Sequence, residues 1–234
     1  MSHFDFKQFR VSHDRCAMKV GTDGVLLGAW SPVEGSRRIL DIGTGSGLVA
    51  LMLAQRSNAR IVGVELDTEA ATQASENALA SPFASRIEIV NADILDYRSE
   101  EKFDAIVSNP PFFNNALECP EIGRSRARHT SSLPLNALID IAFDLLTEGG
   151  TFSVILPSDV AQDFLGICIA KHFTPIRITS VRTVPRKAPK RTLISFKKGI
   201  HSDSLVRDEL SLASPLGQRS ELYQELTKDF YLDR

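Results

Sequence analysis

Asn109-Pro110-Pro111-Phe112 is the stretch whose residue types and spacing point most directly at chemistry. It follows Ala105-Ile106-Val107, a short apolar run that suits a buried strand of a parallel sheet. Proline fixes φ, lacks an N–H and pushes the residue before it towards an extended conformation, so two in a row cannot continue a central strand. The chain therefore leaves the sheet at Asn109, and a stiff turn carries an amide with an aromatic ring just beyond it. An amide and a ring set close together can hold a flat molecule that bears an amino group. A reactive partner for that group must come from elsewhere in the chain.

Ile39-Leu40-Asp41-Ile42 reads as a short strand, Gly43-Thr44-Gly45-Ser46-Gly47 as a glycine loop and Leu48 to Gln55 as a helix. Strand, glycine loop, helix is the start of a nucleotide-binding α/β unit: glycines admit close backbone approach and the helix N-terminus points amides at the ligand. The next strand, Arg60 to Val64, ends at Glu65, followed by Leu66. An acid about 20 positions after the glycine loop can accept hydrogen bonds from two ribose hydroxyls. A third strand, Ile87 to Val90, runs to Asp93, where it reaches a bound purine. Asp41, Glu65 and Asp93 thus sit at the carboxyl ends of successive strands, the edge at which open parallel sheets bind ligands. The glycine spacing is G-x-G-x-G, not the G-x-G-x-x-G of a dinucleotide site.

DIGTGSG, VELD, NAD and SNPPFF together resemble the class I S-adenosylmethionine-dependent methyltransferases, in which the tetrad marks enzymes that methylate an exocyclic or amide nitrogen. With Lys19 to Gly28 (KVGTDGVLLG) and Leu226 to Leu232 (LTKDFYL), almost the whole chain is similar to the bacterial tRNA1(Val) adenine N6-methyltransferase family, which modifies the adenosine at position 37, beside the anticodon. The resemblance implies S-adenosyl-L-methionine as cofactor and the anticodon stem-loop of tRNA as partner. It implies that Asp41 and the loop Gly43, Thr44, Gly45 and Gly47 line the methionine end of the cofactor. Glu65, with Leu66, would hold the ribose and Asp93 the adenine amino group. Asn109, Pro110 and Phe112 would take the target base, with Asn109 also against the cofactor. It further implies an α/β, Rossmann-like class I methyltransferase fold, a mostly parallel seven-stranded sheet with helices on both faces and an antiparallel last strand.

The elements that position these residues follow in order. Phe4, Phe6 and Phe9 can cover one edge of the core. Thr22 or Asp23 suits an N-cap for a helix striped by Val25, Leu26, Ala29 and Trp30, ended by Ser31-Pro32. That segment is either a packing helix or, with Lys19, Thr22 and Asp23, the mouth of a site where polar groups meet a charged ligand. A helix over Thr68 to Ala80 separates the second and third strands. After the tetrad comes a basic cluster, Arg124, Arg126, Arg128 and His129, read as phosphate contacts rather than a solvated loop. His129 has no accompanying ligand for a metal. Leu133 to Leu146 reads as an amphipathic helix ended by Gly149-Gly150, then a strand Thr151 to Leu156 and a helix Ser158 to Lys171. Ile176-Arg177-Ile178 and Leu193 to Phe196 read as the last strand pair, and a short strand near Leu205-Val206 and a helix Glu221 to Phe230 close the chain. Between the last pair lies a stretch with five cations in ten residues, Arg182 to Arg191, including Arg186, Lys187, Lys190 and Arg191. This reads as an RNA-backbone contact, against the alternative of a solubilising hairpin loop. The expected division is an N-terminal extension 1–38, a methyltransferase domain 39–200, and a strand and helix over 201–234 that complete the same domain.

Bulk properties bound the function. The 234 residues suit one α/β domain; 43% hydrophobic and 24% charged residues are ordinary for a globular chain. A net charge of −2 confines any nucleic-acid contact to local clusters. Cys16, Cys119 and Cys168 are far apart, which argues against disulfides and a zinc site. The first residues have no apolar leader and no run approaches the ~20 residues of a membrane span, so a cytoplasmic protein without a membrane partner is expected; no metal is expected, and a monomer is the expected state although the sequence leaves oligomerisation open. Rival readings are guanine N2 methylation of rRNA, glutamine N5 methylation of a protein release factor, a non-catalytic RNA-binding module, and a NAD-linked dehydrogenase. The glycine spacing disfavours the last, the short N-terminal segment and two basic clusters disfavour the release-factor reading, and the intact glycine loop, three acids and Asn109 disfavour the module.

Overall fold

The computed structural model describes residues 2–111 and 133–233. Its centre is an eight-stranded sheet in the order β10-β8-β9-β7-β6-β3-β4-β5. The strands are β3 (Arg38–Ile42), β4 (Arg60–Glu65), β5 (Ile87–Asn91), β6 (Phe103–Ser108), β7 (Leu146–Pro157), β8 (Phe173–Arg182), β9 (Arg191–Lys198) and β10 (Val206–Ser211). All neighbours pair in parallel except β9, which runs antiparallel between β7 and β8. The sheet thus has one strand more than expected: the segment read as a short strand near Leu205 extends to Ser211 and adds to β8 at the edge. A separate hairpin pairs β1 (His3–Asp5) with β2 (Arg10–Ser12).

The apolar alternation of the strands buries both faces. On one face α1 (Thr22–Trp30) and α2 (Leu48–Arg56) pack together and share a core with Phe6, Phe9, Ile39, Val107, Tyr223 and Phe230. On the other, α4 (Leu135–Leu145) and α5 (Ala161–Ala170) cover Leu40, Ile106, Phe152, Val154 and Phe196. Between them in sequence, α3 (Thr68–Leu79) packs on β4 and β5, and α6 (Glu221–Thr227) follows β10, capped by Ser220 Oγ accepting from the Tyr223 N–H at 3.1 Å. The terminal segments meet: Phe6 stacks on Tyr231 with centroids 5.9 Å apart, and the Lys7 N–H donates to the Phe230 carbonyl at 2.8 Å.

Two local expectations are corrected. Helix α1 is capped by Gly21 in extended conformation, with no side-chain bond, so Thr22 and Asp23 lie in its first turn instead. The α1 and α2 backbones come close where Gly24 faces Leu48 and Gly28 faces Met52. Helix α4 stops at Leu145, because Leu146 is already extended, and Gly149-Gly150 fall in a register irregularity of β7 opposite Phe103 to Ala105. Among the described residues no helix is long and apolar enough to cross a membrane.

Candidate active site

The strand tips of β3, β4, β5 and β6 open into a cleft of about 820 Å³ lined by Gly43, Gly45, Glu65, Leu66, Asp93, Asn109 and Pro110, among others. That volume suits a cofactor-sized ligand. The glycine loop makes its floor. Gly43 and Gly45 have φ of +72° and +56°, and a Cβ on either would meet no atom within 4 Å. The backbone there faces open space and admits a ligand at contact distance, which is the physical reason for glycine at both. Gly47, at φ +80°, forms the N-cap of α2.

Asp41 does not line the cleft, contrary to expectation. It is 1% exposed, and its Oδ2 accepts the Thr44 hydroxyl at 2.6 Å. Burial pushes its pKa up to about 7, Glu65 adds to the rise, and the Thr44 bond opposes it. Asp41 and the buried Thr44 shape the glycine loop from behind. Glu65 ends β4 and its carboxylate accepts the Gly45 N–H at 2.8 Å and the Asp67 N–H at 3.0 Å. A carboxylate offers about four lone-pair sites, so two remain for a diol. Asp93 Oδ1 accepts the Leu95 N–H at 2.9 Å, which orients the side chain in the lining. Asn109 and Pro110 leave β6 directly after Ser108, whose hydroxyl donates to the Ile42 carbonyl at 2.9 Å and ties the β6 tip to the β3 tip.

Lys19 and Thr22 are exposed and outside the cleft lining. The positions that do line it are Cys16, Ala17 and Met18, just before the Lys19-to-Gly28 motif; nothing in their residue types marks them. Burial raises the Cys16 thiol pKa to about 11, helped by the charges of Glu65 and Asp67, so it stays protonated at neutral pH. In the β8–β9 loop Arg186, Lys187 and Lys190 are exposed. Arg191 is instead paired with Asp23 at 2.7 Å, and Arg182 with Glu209 at 2.7 Å. Phe112, Arg124, Arg126, Arg128 and His129, with Cys119, lie outside the described residues. Among the described residues no cluster of three His, Cys, Asp or Glu is placed to hold a metal ion.

Comparison with known proteins bears on what the cleft does. Residues 24–180 match the family model described as Methyltransferase small domain. Over 231 residues the chain is 51% identical to a tRNA1(Val) (adenine(37)-N6)-methyltransferase of Bacteroides thetaiotaomicron, covering 98% of this chain and 97% of that one. It is 46% identical over 233 residues to the protein of the same description from Klebsiella pneumoniae subsp. pneumoniae, covering 98% and 94%. Among solved structures, a predicted O-methyltransferase of Agrobacterium tumefaciens superposes with a TM-score of 0.69 at 22% identity, over 91% of this chain and 99% of that one. A Thermus thermophilus 16S rRNA N2 G1207 methyltransferase in complex with AdoMet and guanosine gives 0.59 at 21% identity, over 84% and 50%. At those identities the structural likeness speaks for the fold: a Rossmann-like class I methyltransferase.

Proposed function

The chain belongs to the tRNA1(Val) (adenine(37)-N6)-methyltransferases, within the methyltransferase small domain family, and from that membership we infer that it is an S-adenosylmethionine-dependent tRNA methyltransferase acting on N6 of adenine 37 in tRNA1(Val). The observation that carries the assignment to this cleft is that Asn109 and Pro110 open into the same space as Gly43, Gly45, Glu65 and Asp93. The open glycine backbone and the remaining acceptor sites of Glu65 fit S-adenosylmethionine. When bound, that group supplies a methyl on a positively charged sulfur. Gly43 and Gly45 would take its methionine end, Glu65 with Leu66 its ribose hydroxyls, and Asp93 its adenine amino group.

The adenine N6 is a poor nucleophile because its lone pair is delocalised into the ring. The Asn109 side-chain oxygen and the Pro110 carbonyl each accept an N6–H. They favour a pyramidal nitrogen and stabilise the positive charge that develops on it as the nitrogen–carbon bond forms and the carbon–sulfur bond breaks. A proton then leaves N6 to solvent, and no strongly basic side chain or metal is required. Phe112 stacks on the base, a contact worth ~1–3 kcal/mol. The remaining contribution is alignment of nitrogen, methyl and sulfur. A base in an anticodon loop leaves its stack more cheaply than one in a duplex.

Arg186, Lys187 and Lys190, with Arg124, Arg126, Arg128 and His129, are proposed to contact the anticodon stem-loop backbone. The enzyme is proposed to act in the cytoplasm, where its tRNA substrate resides, and as a monomer. Incubation of unmodified tRNA with the protein and labelled S-adenosylmethionine, followed by digestion and mass spectrometry, tests the reading. Label on N6-methyladenine from position 37 is expected; label on guanine N2, or none, overturns it.

A further inference from the structure

Helix α3 carries two side-chain amides, Gln73 and Asn77, one turn apart on the face that also buries Ala70, Ala74 and Ala78. They are 1% and 5% exposed. Buried amides must find partners, and these find them in residues 12–16, the end of β2 and the start of a strap, free of helix or strand, that joins β2 to α1. The Ser12 N–H donates to Asn77 Oδ1 at 2.9 Å, and Asn77 Nδ2 donates back to the Ser12 carbonyl at 2.8 Å. The Arg15 N–H donates to Gln73 Oε1 at 2.9 Å, the Cys16 thiol to the same oxygen at 3.5 Å, and Gln73 Nε2 to Asp14 Oδ1 at 2.9 Å. The second Asn77 Nδ2 bond, at 2.8 Å, goes to the Ser46 carbonyl in the glycine loop. Neither amide lines the cleft, but what they hold does: Cys16 to Met18 on one side and the loop around Gly45 on the other.

We infer that Gln73 and Asn77 are positioning residues for the cofactor, fastening the strap 12–18 as a wall of the cleft and, through Asn77, locking that wall to the glycine loop. The inference rests on the reading of the cleft as the S-adenosylmethionine site. A pair that served helix packing alone would bond within α3 or to the sheet. These two bond to backbone and side-chain groups of the strap and to the backbone of the loop, the parts whose placement sets the shape of the cleft. Their loss therefore acts on cofactor retention rather than on tRNA recognition.

Gln73→Ala and Asn77→Ala in the full chain test this by calorimetry with S-adenosylmethionine and by steady-state methylation with the two KM values separated. Ser195→Ala, which removes a buried hydroxyl bond between β9 and β7, controls for lost stability. The expected result is a cofactor Kd and KM raised about tenfold in each amide variant, with tRNA KM and kcat at saturating cofactor retained, and no such rise in Ser195→Ala. A cofactor Kd within about twofold of wild type in both variants, or an equal rise in Ser195→Ala, overturns the inference while leaving the cleft assignment standing. Failure of the wild-type protein to bind S-adenosylmethionine overturns both. Should the alanine variants not fold, amide exchange in the wild-type protein gives the answer: exchange at Ser12 and Arg15 slows on adding S-adenosylmethionine, and unchanged exchange there refutes the proposed wall.

Discussion

Replacing Arg186, Lys187 and Lys190 by alanine tests how the protein holds nucleic acid, and the fold sets the size of the effect. The ten-residue stretch carries five cations, but Arg182 and Arg191 are engaged within the protein by Glu209 and Asp23. The other three are exposed and have no acidic partner among the described residues. Each phosphate neutralised on a single strand contributes about −0.7 to the slope of log K against log salt, so three contacts contribute about −2. Over a rise from about 50 to 200 mM salt that share alone weakens binding roughly twentyfold. Fluorescence anisotropy of a labelled anticodon stem-loop across a salt series reads the slope directly. The triple variant should bind more weakly at low salt and with a slope shallower by about 2, while S-adenosylmethionine affinity holds. A slope change under about 0.5 removes this loop from the interface. If adding Arg182→Ala and Arg191→Ala flattens the slope by a further ~1.4, the two ion pairs open on binding and the division of cations argued above is refuted.

Three further outcomes are expected. Asn109→Ala should lower kcat by about 100-fold or more with an unchanged melting temperature; near-normal turnover would end the role given to the amide. Asp41→Asn should change how stability depends on pH. The folded-state pKa of Asp41, about 7, lies above the usual 3.8, so its contribution to stability is fully present below pH 3.8 and is lost as pH rises through about 7. The variant keeps an acceptor for Thr44 without the charge, so relative to it the wild type should lose about 1.4 kcal/mol per pH unit within that window; parallel denaturation curves would refute the buried carboxylate's role. Gly28→Ala should destabilise by about 1–3 kcal/mol, read from the denaturant midpoint, because a Cβ there would lie 2.8 Å from Met52 Sδ and 2.9 Å from Met52 Cβ. An unshifted midpoint would mean that α1 and α2 separate freely.

The lining of the candidate site was legible where its backbone demands unusual local sequence. Gly43 and Gly45 adopt left-handed conformations with open space on the Cβ side, and few residues other than glycine serve there. Glu65 and Asn109 stand at strand ends, where the apolar run breaks off visibly. The parts that stayed hidden depend on tertiary context. Gln73 and Asn77 are residue types usually found on exposed helix faces, and only their one-turn spacing among Ala70, Ala74 and Ala78 marks them as facing inward. Asp23 resembled a cap but turned its carboxylate to Arg191, more than 160 positions away in sequence. Asp41 shared a pattern with Glu65 and Asp93, yet it stands one residue before the end of β3 and points beneath the loop. The eighth strand was foreseen only as a fragment, because β10 is an edge strand with one buried residue, Leu210, and carries little apolar signal.

The one antiparallel strand of the central sheet, β9, has a consequence for the rim of the cleft. Because β9 descends beside the ascending β8, the loop joining them emerges at the same rim as Asn109. In the sheet order β3, β4 and β5 lie on one side of β6, and β7, β9, β8 and β10 on the other. Residues 183–190 form a connection that contributes no residue to the lining of the cleft. A change in the charge of that hairpin tip would therefore alter the rim beside Asn109 while leaving the cleft lining as it is.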